Sequence, residues 1–208
     1  MNWPQAAGQP TLAADRIAGT RPSRGVKILA MGLPLHPSQQ PQPGANDELV
    51  LVGFRIDAAQ SGPHFYTLFA IGGANERPLV SAGRIIFFTR PEFAGQALTL
   101  DESMAGLGEA PQELEMVCDV AGVLYLVNSQ DSDADGVVLE CLHTFDDLVR
   151  ATRLNMPEVY QKVLGDLAAN MEATADLRNF FTTHSRETVE DALLWCVGAV
   201  TVRATVLG

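Results

Sequence analysis

Asp131-Ser132-Asp133-Ala134-Asp135-Gly136 is the stretch of this 208-residue chain with the most chemistry to offer. Carboxylates at alternate positions, then glycine at the sixth, match the opening half of a calcium loop. There the acids converge on the ion and the glycine permits a sharp turn. The twelfth position of such a loop must supply a bidentate glutamate, but here it is Leu142, with Glu140 two places short. Asp131, Asp133 and Asp135 are therefore metal candidates only for a site of roughly millimolar affinity. Asp, Ser and Gly are also ordinary turn residues. We read the run as a solvated turn and expect neither a bound metal nor a cofactor.

Cys141 and His143 are the catalytic candidates. Two residues apart on a strand, they would point to one face, where an imidazole can activate a thiol. A reactive thiolate needs an accessible, electropositive setting, and Glu140, Asp146 and Asp147 make this neighbourhood acidic. The other two thiols, Cys118 and Cys196, sit among apolar residues and behave as small hydrophobes. His36, His64, His143 and His184 share no HxH or HExxH spacing, so a zinc site would have to be assembled in three dimensions. The chain contains no GxSxG elbow, no GxGxxG and no P-loop. The acid pairs Asp146-Asp147 and Glu190-Asp191 suit a helix start and a solvated face, respectively. These residues favour a non-enzymatic role, with an enzyme assembled around Cys141 and His143 as the alternative.

Charge narrows the partner class. Twenty-five acids against fourteen Lys and Arg leave −11 overall. Residues 1–46 carry four bases and one acid, whereas residues 47–208 carry ten bases and twenty-four acids, a balance of −14. Such a body repels phosphate backbones and anionic lipid surfaces, so we expect no nucleic-acid and no membrane partner. A protein partner, and a basic one, fits better. The longest apolar run, Ala192–Val202, is shorter than the roughly 18 residues a span requires. Three widely spaced cysteines argue against a disulfide framework, and no secretory signal opens the chain, so we expect a cytoplasmic protein.

The elements that must position these residues fall into two parts. Residues 1–45, rich in proline and glutamine, read as a disordered tail with one apolar patch, Val26–Met31. Residues 46–208 read as one α+β domain. Glu48–Ala58, His64–Ile71 and Ile85–Phe88 are strand-like and separated by turn chemistry. Thr89-Arg90-Pro91-Glu92 then reads as a capping box that opens a helix with Phe93, Ala94, Ala97 and Leu98 on its apolar face. Glu113–Val120, Gly122–Val127 and Val137–Leu142 read as further strands. From Thr144-Phe145-Asp146-Asp147, taken as a second capping box, the period becomes helical. Helices follow from Pro157, around Leu177–Phe181, and from Ser185. Residues 199–207 satisfy both periods, and we take them as helix. The expected fold is an antiparallel meander of five to six strands with one inserted helix, followed by three to four helices.

A meander leading through the Ile85–Phe88 strand into a proline-opened helix resembles small bacterial immunity and secretion-accessory domains. That resemblance implies an acidic interaction module binding a basic partner, and no site residue is carried over on it. A structural role, with the apolar stripe of the C-terminal helices buried against a second copy, is the further alternative.

Overall fold

Short runs of β-branched and aromatic residues build the sheet. In the computed structural model, which describes residues 47–72, 76–129 and 137–208, β1 (Glu48–Arg55) and β2 (Phe65–Ile71) pair antiparallel, from Glu48 opposite Ile71 to Phe54 opposite Phe65. The expected tail and the Asp131–Gly136 run lie outside the described residues. β3 (Arg77–Pro78) lies along β2, and β4 (Val80–Ser81) lies along β5 (Arg84–Phe88). Leu79 stitches the two pairs together. Its N–H donates to the Leu68 carbonyl at 2.8 Å and its own carbonyl accepts from the Ile86 N–H at 3.0 Å. Between β4 and β5, Ala82 and Gly83 take φ of 50° and 74°, the positive values that a two-residue turn of the primed type needs.

The sheet is mixed, which corrects the antiparallel meander. β6 (Leu114–Asp119) lies parallel to β1, and β7 (Ala204–Leu207) lies parallel to β5, for seven strands among the described residues. β1, β5, β6 and β7 therefore run one way and β2 the other. Parallel neighbours require long crossovers, and the helices supply them. Side-chain alternation reports which face a residue takes, but not the direction of its strand.

Alternation along β1 and β5 buries both sheet faces. Leu49, Leu51, Ile86 and Phe88 pack under a thin layer made of a 3₁₀ turn (Pro91–Phe93), α1 (Ala94–Leu98) and α2 (Glu102–Ala105). Val50, Val52, Phe54, Ile85 and Phe87 pack under the larger layer. That layer comprises α3 (Val120–Asn128), α4 (Val137–Thr152), α5 (Glu158–Ala173), α6 (Leu177–Phe180) and α7 (Arg186–Val202).

Several local expectations are corrected. The Thr89–Glu92 capping box does not form. The Thr89 N–H donates to the Leu207 carbonyl at 3.1 Å instead, and Arg90 occupies the cap position with no side-chain bond. Residues 122–127 are helical, because Asp119 caps α3 by accepting from the Gly122 N–H at 2.8 Å. Val120, Val123 and Val127 then share a buried side. Residues 137–142 are the first turns of α4, where Val138, Leu142, Phe145 and Val149 form one stripe toward the core. Thr144 consequently lies inside that helix, and its hydroxyl donates to the Glu140 carbonyl at 2.9 Å. At the C-terminus, α7 stops at Val202 and Ala204–Leu207 become β7, so residues 199–207 are helix and then strand. The α5 start after Pro157 and the Ser185 cap of α7 are as expected. Among the described residues, no helix is long and apolar enough to cross a membrane.

Candidate functional site

Helix geometry separates the catalytic candidates. Cys141 and His143 both lie on α4, where residues two apart project about 200° apart around the axis. Cys141 faces the sheet and places its Sγ 3.1 Å from Sγ of Cys118 on β6, both thiols being free and buried. The hydrogen bond with Cys118 first, and burial second, raise the Cys141 thiol well above its ordinary range. Burial pushes the Cys196 thiol up to about 12. Thiols held this way stay protonated at neutral pH and are not nucleophiles.

His143 looks the other way. His143, Asp146, Asp147 and Arg150 follow the i, i+3, i+4, i+7 spacing, on a side of α4 that flanks its core stripe. The first three are buried. His143 Nε2 lies 3.9 Å from Glu172 Oε1 of α5, and Asp146 pairs with Arg150 one turn on. The His143–Glu172 approach joins α4 to α5, and the Asp146–Arg150 pair is internal to α4. His64 and His184 also do structural work. His64 Nδ1 accepts from the Ile56 N–H at 3.3 Å. His184 stacks on Phe180 with ring centroids 4.1 Å apart, and its Nε2 reaches Asp166 at 3.3 Å. Asp166 is held below the usual carboxylate range, chiefly by its hydrogen bond from Lys162 and also by His184. No group of three or more His, Cys, Asp or Glu among the described residues is arranged to hold a metal. Asp131, Asp133, Asp135 and His36 lie outside those residues.

The feature with room for a guest is apolar. Phe54, Phe65 and Phe87, from β1, β2 and β5, form one wall of a cavity of about 160 Å³. Phe145 and Leu148 of α4, with Val200 of α7, form the opposing wall. Ile56 and Val206, 49% and 50% exposed, stand with Thr201 at its mouth. Phe54 and Phe87 meet edge to face, with centroids 5.4 Å apart. The Thr201 hydroxyl donates to the Val197 carbonyl at 2.7 Å, and no ionisable side chain lines the space. The sequence signal for this site was an aromatic residue at one end of each central strand. Nothing in the spacing says that those ends converge with residues almost a hundred positions away.

The other end of the sheet is polar. With Glu48 opposite Ile71 and Arg77 opposite Ala70, the register places Asp47, Glu48 and Glu76 at this end, and with Leu51 opposite Leu114 it places Glu113 and Glu115 on the edge strand β6 beside the first half of β1. Glu48, Glu113 and Glu115 are exposed. Arg77, at the same rim, reaches Asp101 at 3.5 Å and Ser103 at 3.0 Å.

Comparison with family models, with curated proteins and with solved structures returns no match to this chain. The functional reading therefore rests on these two ends of the sheet and on their chemistry.

Proposed function

We propose that this chain works by contact, as a non-enzymatic module that holds a basic protein partner against the rim where β1 and β6 begin. The observation that supports the reading is the placement of five carboxylates on the half of the sheet where β1 and β6 begin, within a body whose acids outnumber its bases twenty-four to ten. Complementary charge accelerates encounter and selects the partner, while a few apolar anchors supply affinity. Protonated, buried thiols and a Cys141–His143 pair split across a helix weigh against the enzyme alternative. Three free cysteines support a reducing, cytoplasmic setting.

The test is capture from lysate of the cells that make the protein, at low and high salt, with the natural chain and with a Glu48→Lys/Glu113→Lys/Glu115→Lys variant of unchanged melting temperature. A partner retained at low salt, released as salt rises and lost by the variant is the expected result. Equal retention by the variant refutes the reading.

Self-association is a second reading, supported by Leu194 and Val202 of α7, 49% and 67% exposed. The stripe the sequence offers for it is largely consumed within the fold, with Leu193 and Val200 buried and Val197 lining the cavity. A sedimentation mass that rises with concentration, and falls in Leu194→Glu, would support it.

A further inference from the structure

We infer that the cavity between the sheet, α4 and α7 is a binding site for a small, uncharged, hydrophobic molecule about the size of one aromatic ring. The first ground is volume. The space measures about 160 Å³ and opens to solvent at its mouth, and an enclosed apolar cavity of about 150 Å³ is room enough for benzene or xenon. The second is the chemistry of the walls. Phe54, Phe65, Phe87 and Phe145 offer ring faces and edges, which favour an aromatic or compact alkyl guest. A charged guest would have to shed its water with no ionisable side chain in the walls to compensate.

The third ground is position. The cavity lies toward the C-terminal ends of β1, β5 and β6, where Phe54 is the last but one residue of β1, Phe87 nears the end of β5 and Val120 follows β6, and it runs along β7 from Ala204 to Val206. Helix-covered sheets with parallel strands place their ligands outside those ends. The fourth is access. The mouth is framed by side chains that are already half exposed, so a guest reaches the space without the core opening. Phe54, Phe65 and Phe87 forfeit dispersion contacts wherever the space is unfilled, and a guest of this size restores them. None of these grounds depends on the acidic rim, which lies at the other end of the strands.

The test uses the full chain and toluene as the probe, followed by methyl and aromatic NMR shifts and by melting temperature, with xenon as a competitor. The expected result is a saturable shift confined to resonances of cavity residues, a raised melting temperature, and displacement by xenon. Ala204→Leu, which fills the space from β7, removes the saturable shift. So does Val206→Trp, which covers the mouth from a half-exposed position and leaves the core packing intact. A response that never saturates up to the solubility of toluene overturns the inference, as does binding retained in both variants. Benzoate binding as well as toluene overturns the requirement for an uncharged guest. A sedimentation mass that falls when toluene is added identifies a second copy as the occupant, and also overturns it.

Discussion

Cys196 gives the most direct test of how this core treats charge. It is fully buried on the inner side of α7, and desolvation lifts its thiol from the ordinary 9.0 to about 12. The fold therefore favours the protonated thiol. Its contribution to stability is complete below pH 9 and is lost between pH 9 and pH 12, as the unfolded chain ionises and the folded one does not. One pKa unit corresponds to about 1.36 kcal/mol. At pH 10, one unit above the unfolded value, the loss is thus about 1 kcal/mol, and at pH 11 about 3 kcal/mol. The perturbation is Cys196→Ala, and the assay is urea unfolding in reductant at half-unit steps from pH 8 to 11. The variant starts less stable because of the space it leaves, so the diagnostic quantity is the slope against pH. Cys141, also raised, and all other titrating groups remain in both proteins and cancel in the difference. The stability gap between the two proteins should close by about 1 kcal/mol between pH 8 and pH 10. A gap that stays constant over that range refutes the reasoning.

Two further outcomes follow from particular contacts. Cys118 and Cys141 hold their sulfurs 3.1 Å apart across a sequence separation of 23, so diamide should take two electrons and two protons from them and leave a disulfide. Closing a loop of that length stabilises by about 3.4 kcal/mol of chain entropy before strain. The raised Cys141 thiol makes the reaction slow at neutral pH and faster at pH 9, and a non-reducing peptide map of the folded protein without the Cys118–Cys141 link contradicts this. A Cβ on Gly122 would lie 2.5 Å from Asp119 Oδ2, and Asp119 is fixed by capping α3 and by pairing with Arg55 at 2.5 Å. Gly122→Ala should therefore cost about 1 kcal/mol in the natural chain, as the lost cap outweighs helix propensity. In an Asp119→Ala background it should instead gain up to about 1 kcal/mol. The same sign in both backgrounds defeats the steric account.

The chain announces its strands more clearly than its middle helices, for a physical reason. Glu48–Arg55 and Arg84–Phe88 alternate between two apolar layers, and turn residues fence them on both sides. Val120–Val127 is also apolar and short, and a run of that length satisfies either period. What decides it is Asp119, whose side chain accepts from the N–H of Gly122, the third residue of the helix and one of its free donors. In α4 the signal was continuous from Val138 to Thr152, but Thr144-Phe145-Asp146-Asp147 imitates a helix start and masks the turns before it. That error also created the Cys141–His143 pair, since residues two apart share a face only on a strand. The cavity was not readable, because it depends on strand direction. The parallel placement of β6 and β7 comes from how helices cross the sheet, and no local spacing encodes it.

Strand direction also explains why the two ends of the sheet differ so sharply. β1 and β6 begin at Glu48 and Leu114, beside Asp47, Glu113 and Glu115, and end at Arg55 and Asp119, which pair with each other. Because these strands are parallel, their acidic starts lie toward one end of the sheet, while at the other end Phe54 and Val120 line the cavity beside the Arg55–Asp119 pair. In an antiparallel pair the same residues would alternate and neither feature would form. β2 runs the other way and begins with Phe65, so its aromatic start joins the cavity rather than the rim. Between the two ends lie Leu51, Val52 and Leu68, each with no exposed surface. Core packed to that degree transmits a signal only if it has a second arrangement to adopt. A partner at the rim and a guest in the cavity are therefore expected to bind independently, with the same toluene affinity whether or not the rim is occupied.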